Sequence, residues 1–183
     1  EAKKWQYVNK VIDDLMDRYN YDYIRTPIFE SSEVFHRGVG ETTDIVSKET
    51  YDFIDRGDRP MTLRPEGTAG VVRSYIENKM YGNMPSPVKL YYNGTMYRYE
   101  RPQSGRDREL TQFGMEILGS DDPLTDAEII SLAVNIYKVL GLKEIKVKDN
   151  IVTIDDLDST NGIFIFLAKY ISDIGFIFLL FSL

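Results

Sequence analysis

Residues 91–119 read YYNGTMYRYERPQSGRDRELTQFGMEILG. Aromatic and polar residues alternate through the first half and again through the second, which predicts two antiparallel strands joined by a basic loop over Pro102–Arg108. Asn93-Gly94 is a strong local hairpin signal, but the alternation runs straight through it. The turn is therefore placed at 102–108, with Asn93-Gly94 as a bulge or the start of a strand. Side chains two apart on a strand share a face, so Arg98 goes with Glu100, and Gln112 with Gly114 and Glu116. If that face lined a cleft, it would offer a guanidinium fork, two carboxylates and an amide around a glycine, which suits a polyanion beside a small polar molecule. A solvated sheet face laced with cross-strand ion pairs fits the same residues. The stretch alone leaves both readings open.

Upstream, Leu63-Arg64-Pro65-Glu66-Gly67-Thr68 leads into a helix over 69–80 whose apolar stripe is Val71, Val72, Tyr75 and Ile76. A carboxylate and a hydroxyl at such a strand-to-helix junction serve helix capping as readily as ligand binding. Tyr51–Ile54 and Met61–Leu63 predict a hairpin across 55–60. Its Arg56-Gly57-Asp58 triplet is turn chemistry rather than an adhesion motif. Residues 33–37 make one helical turn, and Gly38-Val39-Gly40 is a loop, since no strand directly precedes it and no long helix follows. Tyr21–Phe29 is β-branched and aromatic but contains Pro27, which predicts an edge strand where another subunit can pair or pack. Trp5, Val8, Val11, Ile12, Leu15, Met16 and Tyr19 recur at helical spacing and predict a helix over 2–20, ended by Asn20.

Downstream, Thr125-Asp126-Ala127-Glu128 is a capping box for a helix over 126–140, closed by Gly141. Residues 144–148 alternate as a strand. Beyond Asn150 there is no arginine, and Ile, Phe and Leu dominate. Residues 163–183 approach the roughly 20 apolar residues a membrane helix needs, but Lys169 and Asp173 interrupt them. Two buried strands over 163–167 and 174–181, completing the sheet, are expected instead.

With 183 residues the chain fits one α+β domain with a sizeable core. The absence of cysteine excludes disulfides, thiol catalysis and zinc-thiolate sites, and a reducing, cytoplasmic setting is the simplest. His36 is the only histidine, which argues against a His-dependent triad or a multi-histidine metal site. A formal net charge of -7 argues against non-specific coating of nucleic acid, though not against a local basic site. Residues 1–20 are charged and amphipathic, unlike a secretory signal. The start without methionine suggests a processed or trimmed product.

Taken together, YNYDYIRTPIFE (19–30), VFHRGVGETTDIVSKETYDF (34–53), TLRPEGTAGVVRSY (62–75) and the hairpin resemble the histidyl-tRNA synthetases, within the class II aminoacyl-tRNA synthetases. The likeness runs from about residue 5 to 148, with the first segment as the class's motif 1 and the hairpin as motif 2. The resemblance implies a class II antiparallel sheet flanked by helices, incomplete here: residues 1–150 would carry the motif 1 and 2 portion of the catalytic core. Residues 151–183 would be an apolar remnant of later core strands, with the anticodon-binding domain absent. It further implies that Arg98 holds the α-phosphate of ATP and the charge that develops there, that Glu100 sits on the adenine side, and that Arg106 meets the γ-phosphate. Glu66, Thr68 and Gln112 would bind the ammonium of histidine, and Glu116 its imidazole. Histidine would be activated by ATP, with Mg2+ bridging the phosphates, and then transferred to tRNA. A homodimer through the motif 1 region is implied as well.

The chain also departs from that pattern. The family carries an arginine and a tyrosine pair in a segment resembling R-G-L-D-Y-Y-T-G, whereas Asp156-Leu157-Asp158-Ser159-Thr160-Asn161-Gly162 keeps only Leu157, Asp158 and Gly162 of the frame. Ile174-Gly175-Phe176 is similar to the start of motif 3, but no arginine follows to clamp ATP. A catalytic-core fragment of impaired activity, or a sequence with 151–183 joined across gaps, is the expectation. The alternatives are a non-catalytic, synthetase-like regulatory subunit of histidine biosynthesis and a dimerisation fragment.

Overall fold

The computed structural model describes residues 2–38, 50–99, 107–143, 145–148, 151–154, 163–171 and 174–181. Helix α1 (Ala2–Arg18) buries Val11, Ile12, Leu15 and Met16, the centre of the predicted stripe. Asn20 ends it in the left-handed region at φ 61, where asparagine is tolerated better than most residues. The Tyr21 N–H then bonds back to the Met16 carbonyl at 2.9 Å.

Tyr21–Phe29, expected as one edge strand, is divided. Strand β1 (Asp22–Tyr23) runs parallel to β5 (Val88–Tyr97) at the edge of the main sheet. The Ile24 N–H makes a further bond to the Tyr91 carbonyl at 2.8 Å. Pro27 cannot continue a ladder, and the chain crosses to a second sheet as β2 (Phe29–Ser31). There it pairs with β4 (Pro60–Leu63), whose other neighbour is β3 (Tyr51–Ile54), giving the order β2-β4-β3. Between β3 and β4 the Asp55 carboxylate accepts the Gly57 and Arg59 N–H groups at 2.7 and 3.0 Å and pairs with the Arg59 guanidinium, so the turn is built by Asp55. Helix α2 (Ser32–Gly38) is the short turn expected after β2.

The central hairpin forms from β5 and β6 (Glu109–Leu118), in unbroken antiparallel register from Val88↔Leu118 to Tyr97↔Glu109. Asn93-Gly94 is neither turn nor bulge: the two residues face Phe113 and Gln112 in mid-ladder. Long-range contacts override the local signal. The Asn93 amide donates to Asn9 Oδ1 on α1 at 2.9 Å, and a Cβ on Gly94 would stand 2.7 Å from Arg64 Nη2. The loop tip expected at 102–108 lies largely outside the described residues.

Strands β9 (Ile163–Ile171) and β10 (Ile174–Phe181) complete the sheet in the order β1-β5-β6-β10-β9, with Phe178 paired to Gly114. Strand β10 has the expected bounds, and β9 runs four residues past the expected Leu167. Strands β7 (Ile145–Lys148) and β8 (Ile151–Ile154) form a separate hairpin that the alternation over 144–148 only half announces.

Alternation along β5 and β6 separates two cores. One face puts Tyr91, Phe113, Met115 and Ile117 against α1 and α5 (Pro123–Val139), whose Ile129, Leu132, Ala133, Ile136 and Tyr137 are buried. The other puts Val88, Leu90, Tyr92, Met96 and Leu118 against Val71 of α3 (Thr68–Glu77). Helix α5 starts three residues before the expected Asp126: Asp122 is the N-cap, accepting the Leu124 N–H at 2.9 Å, with Pro123 next. Proline in the first turn costs nothing, since its missing N–H has no helical partner there. At the other end Gly141 takes φ +86, and the Leu142 N–H bonds the Tyr137 carbonyl at 3.0 Å. Helix α3 is shorter than expected. Asn78 caps it, Lys79 adopts φ 50, and a separate turn α4 (Met80–Asn83) follows.

Candidate active site

The second face of the hairpin carries the polar residues. In register, Leu90 lies opposite Glu116, Tyr92 opposite Gly114 and Gly94 opposite Gln112, so the three β6 positions singled out in the sequence do share one face, the one that α3 covers. Gln112 is 1% and Glu116 0% exposed, which removes the solvated, ion-paired reading of that face. Buried polar groups need partners, and these have few. Glu116 Oε1 accepts the Thr68 hydroxyl at 2.8 Å, while Glu116 Oε2 and Gln112 Oε1 have none.

Thr68 reaches Glu116 because the strand-to-helix junction folds over β6. Leu63 ends β4, Pro65 stops the strand, and the Glu66 carboxylate accepts the Thr68 and Ala69 N–H groups at 2.6 and 2.8 Å, satisfying two of the donors a helix start leaves open. Glu66 is thus a cap, as the bland alternative required. A carboxylate has about four lone-pair sites, so two N–H bonds leave it able to take a ligand as well.

Burial pushes the Glu66 carboxyl up, and its two backbone N–H bonds pull the other way. Burial pushes the Glu116 carboxyl well up; the Thr68 hydroxyl offsets this, and the Glu66 charge adds to it. Burial thus disfavours the charged form of Glu116.

Arg98 extends β5 past Tyr97, its N–H bonded to the Arg108 carbonyl at 2.9 Å, and its Nε donates to the Pro65 carbonyl at 2.9 Å. The guanidinium is thereby held beside the junction and acts electrostatically on Glu66. Arg98, Glu66, Thr68, Gln112 and Glu116 are brought together. Glu100 and Arg106 lie outside the described residues.

Two residues of this region were not singled out in the sequence. Tyr92, 4% exposed, fills the space expected to be open around Gly114: a Cβ on Gly114 or on Gly67 would collide with its ring. The signal available was a pair of glycines flanking polar residues, Glu66-Gly67-Thr68 and Phe113-Gly114-Met115-Glu116, but nothing local names the aromatic that occupies them. Arg64 is buried and bonds main chain and threonine: Nε to the Thr95 carbonyl at 2.8 Å, Nη1 to the Thr26 carbonyl at 2.9 Å and, at 3.4 Å, to the Thr26 hydroxyl. With its N–H on the Ile28 carbonyl and its carbonyl accepting the Tyr97 N–H, it ties the small sheet to the main one.

Residues 1–154 match the family model described as histidyl-tRNA synthetase. A histidine–tRNA ligase of Anoxybacillus flavithermus is 60% identical over 159 residues, which is 87% of this chain and 37% of the relative. One from Staphylococcus saprophyticus is 58% identical over the same shares. Among solved structures, the apo histidyl-tRNA synthetase of S. aureus superposes with a TM-score of 0.67 at 49% identity, over 80% of this chain and 33% of that one. A protein of Bacillus halodurans, described as an ATP phosphoribosyltransferase regulatory subunit/histidyl-tRNA synthetase, gives 0.66 at 26% identity over 79% and 36%. The chain thus spans little more than a third of the length of the curated relatives it matches. A family match over 154 residues, joined to an antiparallel class II sheet whose hairpin and strand-to-helix junction meet at Thr68 and Glu116, shows that the chain belongs to the histidyl-tRNA synthetase family.

Proposed function

We propose that this chain is the amino-acid- and ATP-binding part of a histidine–tRNA ligase. The observation that carries the reading is the Thr68–Glu116 contact, which sets the start of α3 against β6 and leaves Gln112 Oε1 and Glu116 Oε2 buried with no protein partner. Two such acceptors suit the N–H groups of a small cationic or heteroaromatic ligand, as the ammonium and imidazole of histidine are. Glu66 and Thr68 would help hold the ammonium, with Gln112, and Glu116 the ring.

Arg98, held on the Pro65 carbonyl beside the junction, would meet the α-phosphate of ATP. In the reaction, a carboxylate oxygen of histidine attacks the α-phosphorus in line, the bond from that phosphorus to the β-bridging oxygen breaks, and pyrophosphate leaves with the electron pair. Arg98 stabilises the negative charge that builds on the α-phosphate oxygens. Glu100 and Arg106 take the adenine side and the γ-phosphate. Mg2+ would be brought by the phosphates of ATP and would offset their charge. Transfer to tRNA belongs to the longer ligase.

Histidine-dependent exchange of pyrophosphate into ATP tests this. Weak exchange is expected, because the tail lacks the motif 3 arginine, and Arg98→Ala should abolish it. Exchange that ignores histidine, or survives Arg98→Ala, would contradict the assignment. The Bacillus halodurans neighbour supports a second reading, a regulatory relative. That reading predicts histidine binding with no exchange even from the full-length parent.

The same reading includes a homodimer. Ile28, Phe29, Phe53 and Ile54 are each at least 40% exposed around the small sheet, with the Phe29 and Phe53 rings edge to face at 5.8 Å. An exposed apolar cluster on a short edge strand marks an interaction site. A cytoplasmic setting fits a chain without cysteine. Among the described residues no helix is long and apolar enough to cross a membrane.

A further inference from the structure

Tyr92 projects from the middle of β5 into a slot made by two missing side chains. The absent Cβ of Gly114, directly opposite in the ladder, falls on the Cε1, Cζ and hydroxyl side of its ring, and that of Gly67 on the Cδ2 and Cε2 side. The ring therefore locks the start of α3 to β6, and a phenylalanine would fill the same slot. The hydroxyl needs a separate explanation. It is buried and has no hydrogen-bond partner, and such a group costs free energy in the empty protein. The Thr68 hydroxyl lies close enough to act on it but short of hydrogen-bond geometry, and it donates its own hydrogen to Glu116 Oε1.

Three buried polar atoms on one sheet face are thus left open together: Tyr92 Oη, Gln112 Oε1 and Glu116 Oε2. The Gln112 oxygen can only accept, whereas a phenol can also donate. We infer that Tyr92 is a specificity-determining residue of this site, its hydroxyl completing with Gln112 and Glu116 a buried three-point contact to the polar end of an amino-acid ligand. The inference rests on the reading that this face receives the amino acid. It adds a phenol, which can both supply a hydrogen and accept one. A ligand of matching size but without nitrogen in its side chain would leave these atoms unpaired, which is how a polar site rejects an apolar analogue.

Tyr92→Phe removes the hydroxyl and keeps the ring. Titration calorimetry with L-histidine, on the parent protein and the variant, is paired with thermal melts of both in the absence of ligand. Histidine affinity should fall roughly ten-fold, the equivalent of one hydrogen bond, while the ligand-free melting temperature stays level or rises because an unsatisfied group is gone. A purely structural hydroxyl does the opposite, lowering the melting temperature and leaving affinity unchanged. Equal affinity in parent and variant overturns the inference, as does a loss of affinity that tracks a fall in melting temperature. Tyr92→Leu, which empties the slot, should lower both and calibrates that last outcome. If the parent binds no histidine, the functional reading beneath fails first, and the inference goes with it.

Discussion

Glu116 shows most directly what one residue does here. Its carboxyl is buried, holds one hydroxyl and leaves one oxygen open. Because burial raises its folded-state pKa above the ordinary 4.5, the protonated form is favoured in the fold. Its contribution to stability is complete below about pH 4.5 and is lost as pH climbs through the raised value. Glu116→Gln keeps an acceptor for Thr68 and never ionises. The variant should match the parent in melting temperature at pH 4 and exceed it by a few degrees at pH 7, with histidine affinity reduced. A parent curve flat between those pH values would contradict the burial argument. The residues in contact here lie 48 positions apart, Thr68 and Glu116. Polarity at even spacing revealed Gln112 and Glu116 as an oddity, but which helix would cover them is a tertiary fact that no local pattern carries.

Among the elements, the β5–β6 hairpin and the β4–α3 junction are held in register by the Gly67–Tyr92–Gly114 sandwich. Gly114→Ala places a methyl inside the ring of Tyr92, and overpacking of that kind costs roughly 1–3 kcal/mol. Urea melts should show that loss, and Tyr92→Leu in the same chain should recover part of it, since neighbours that share one space are not additive. The hairpin itself was legible from alternation alone, both strands falling within a few residues of their expected ends. Errors came where distant groups outvoted a local rule. Asn93-Gly94 reads as a turn only until Asn9 and Arg64 are seen to need that asparagine and that missing side chain. The capping box at Thr125 lost to Asp122-Pro123, an equally good start three residues earlier, and Lys79 broke a helix that its apolar stripe would have continued.

At the scale of the molecule, two cores on opposite faces of the main sheet divide the described residues. Helices α1 and α5 close one face of the main sheet with apolar side chains, α3 covers the other, and Arg64 ties in the small sheet. The class II likeness was legible from the ordered segments at 19–30, 62–75 and 91–119, while the division of Tyr21–Phe29 between two sheets was not, because a proline marks an edge without saying which sheet follows. If the small sheet is a self-association face, Phe53→Asp should shift sedimentation from dimer to monomer and leave histidine affinity within about two-fold, as expected for sites that share no partners. An unchanged sedimentation coefficient would remove that interface. The most direct measurement is calorimetric titration of the protein with L-histidine, with L-phenylalanine as the size-matched control. Saturable histidine binding, weakened in Glu116→Gln and absent for phenylalanine, is the expected result. No saturable binding, or equal binding of both amino acids, would contradict the assignment of this buried face as a histidine site.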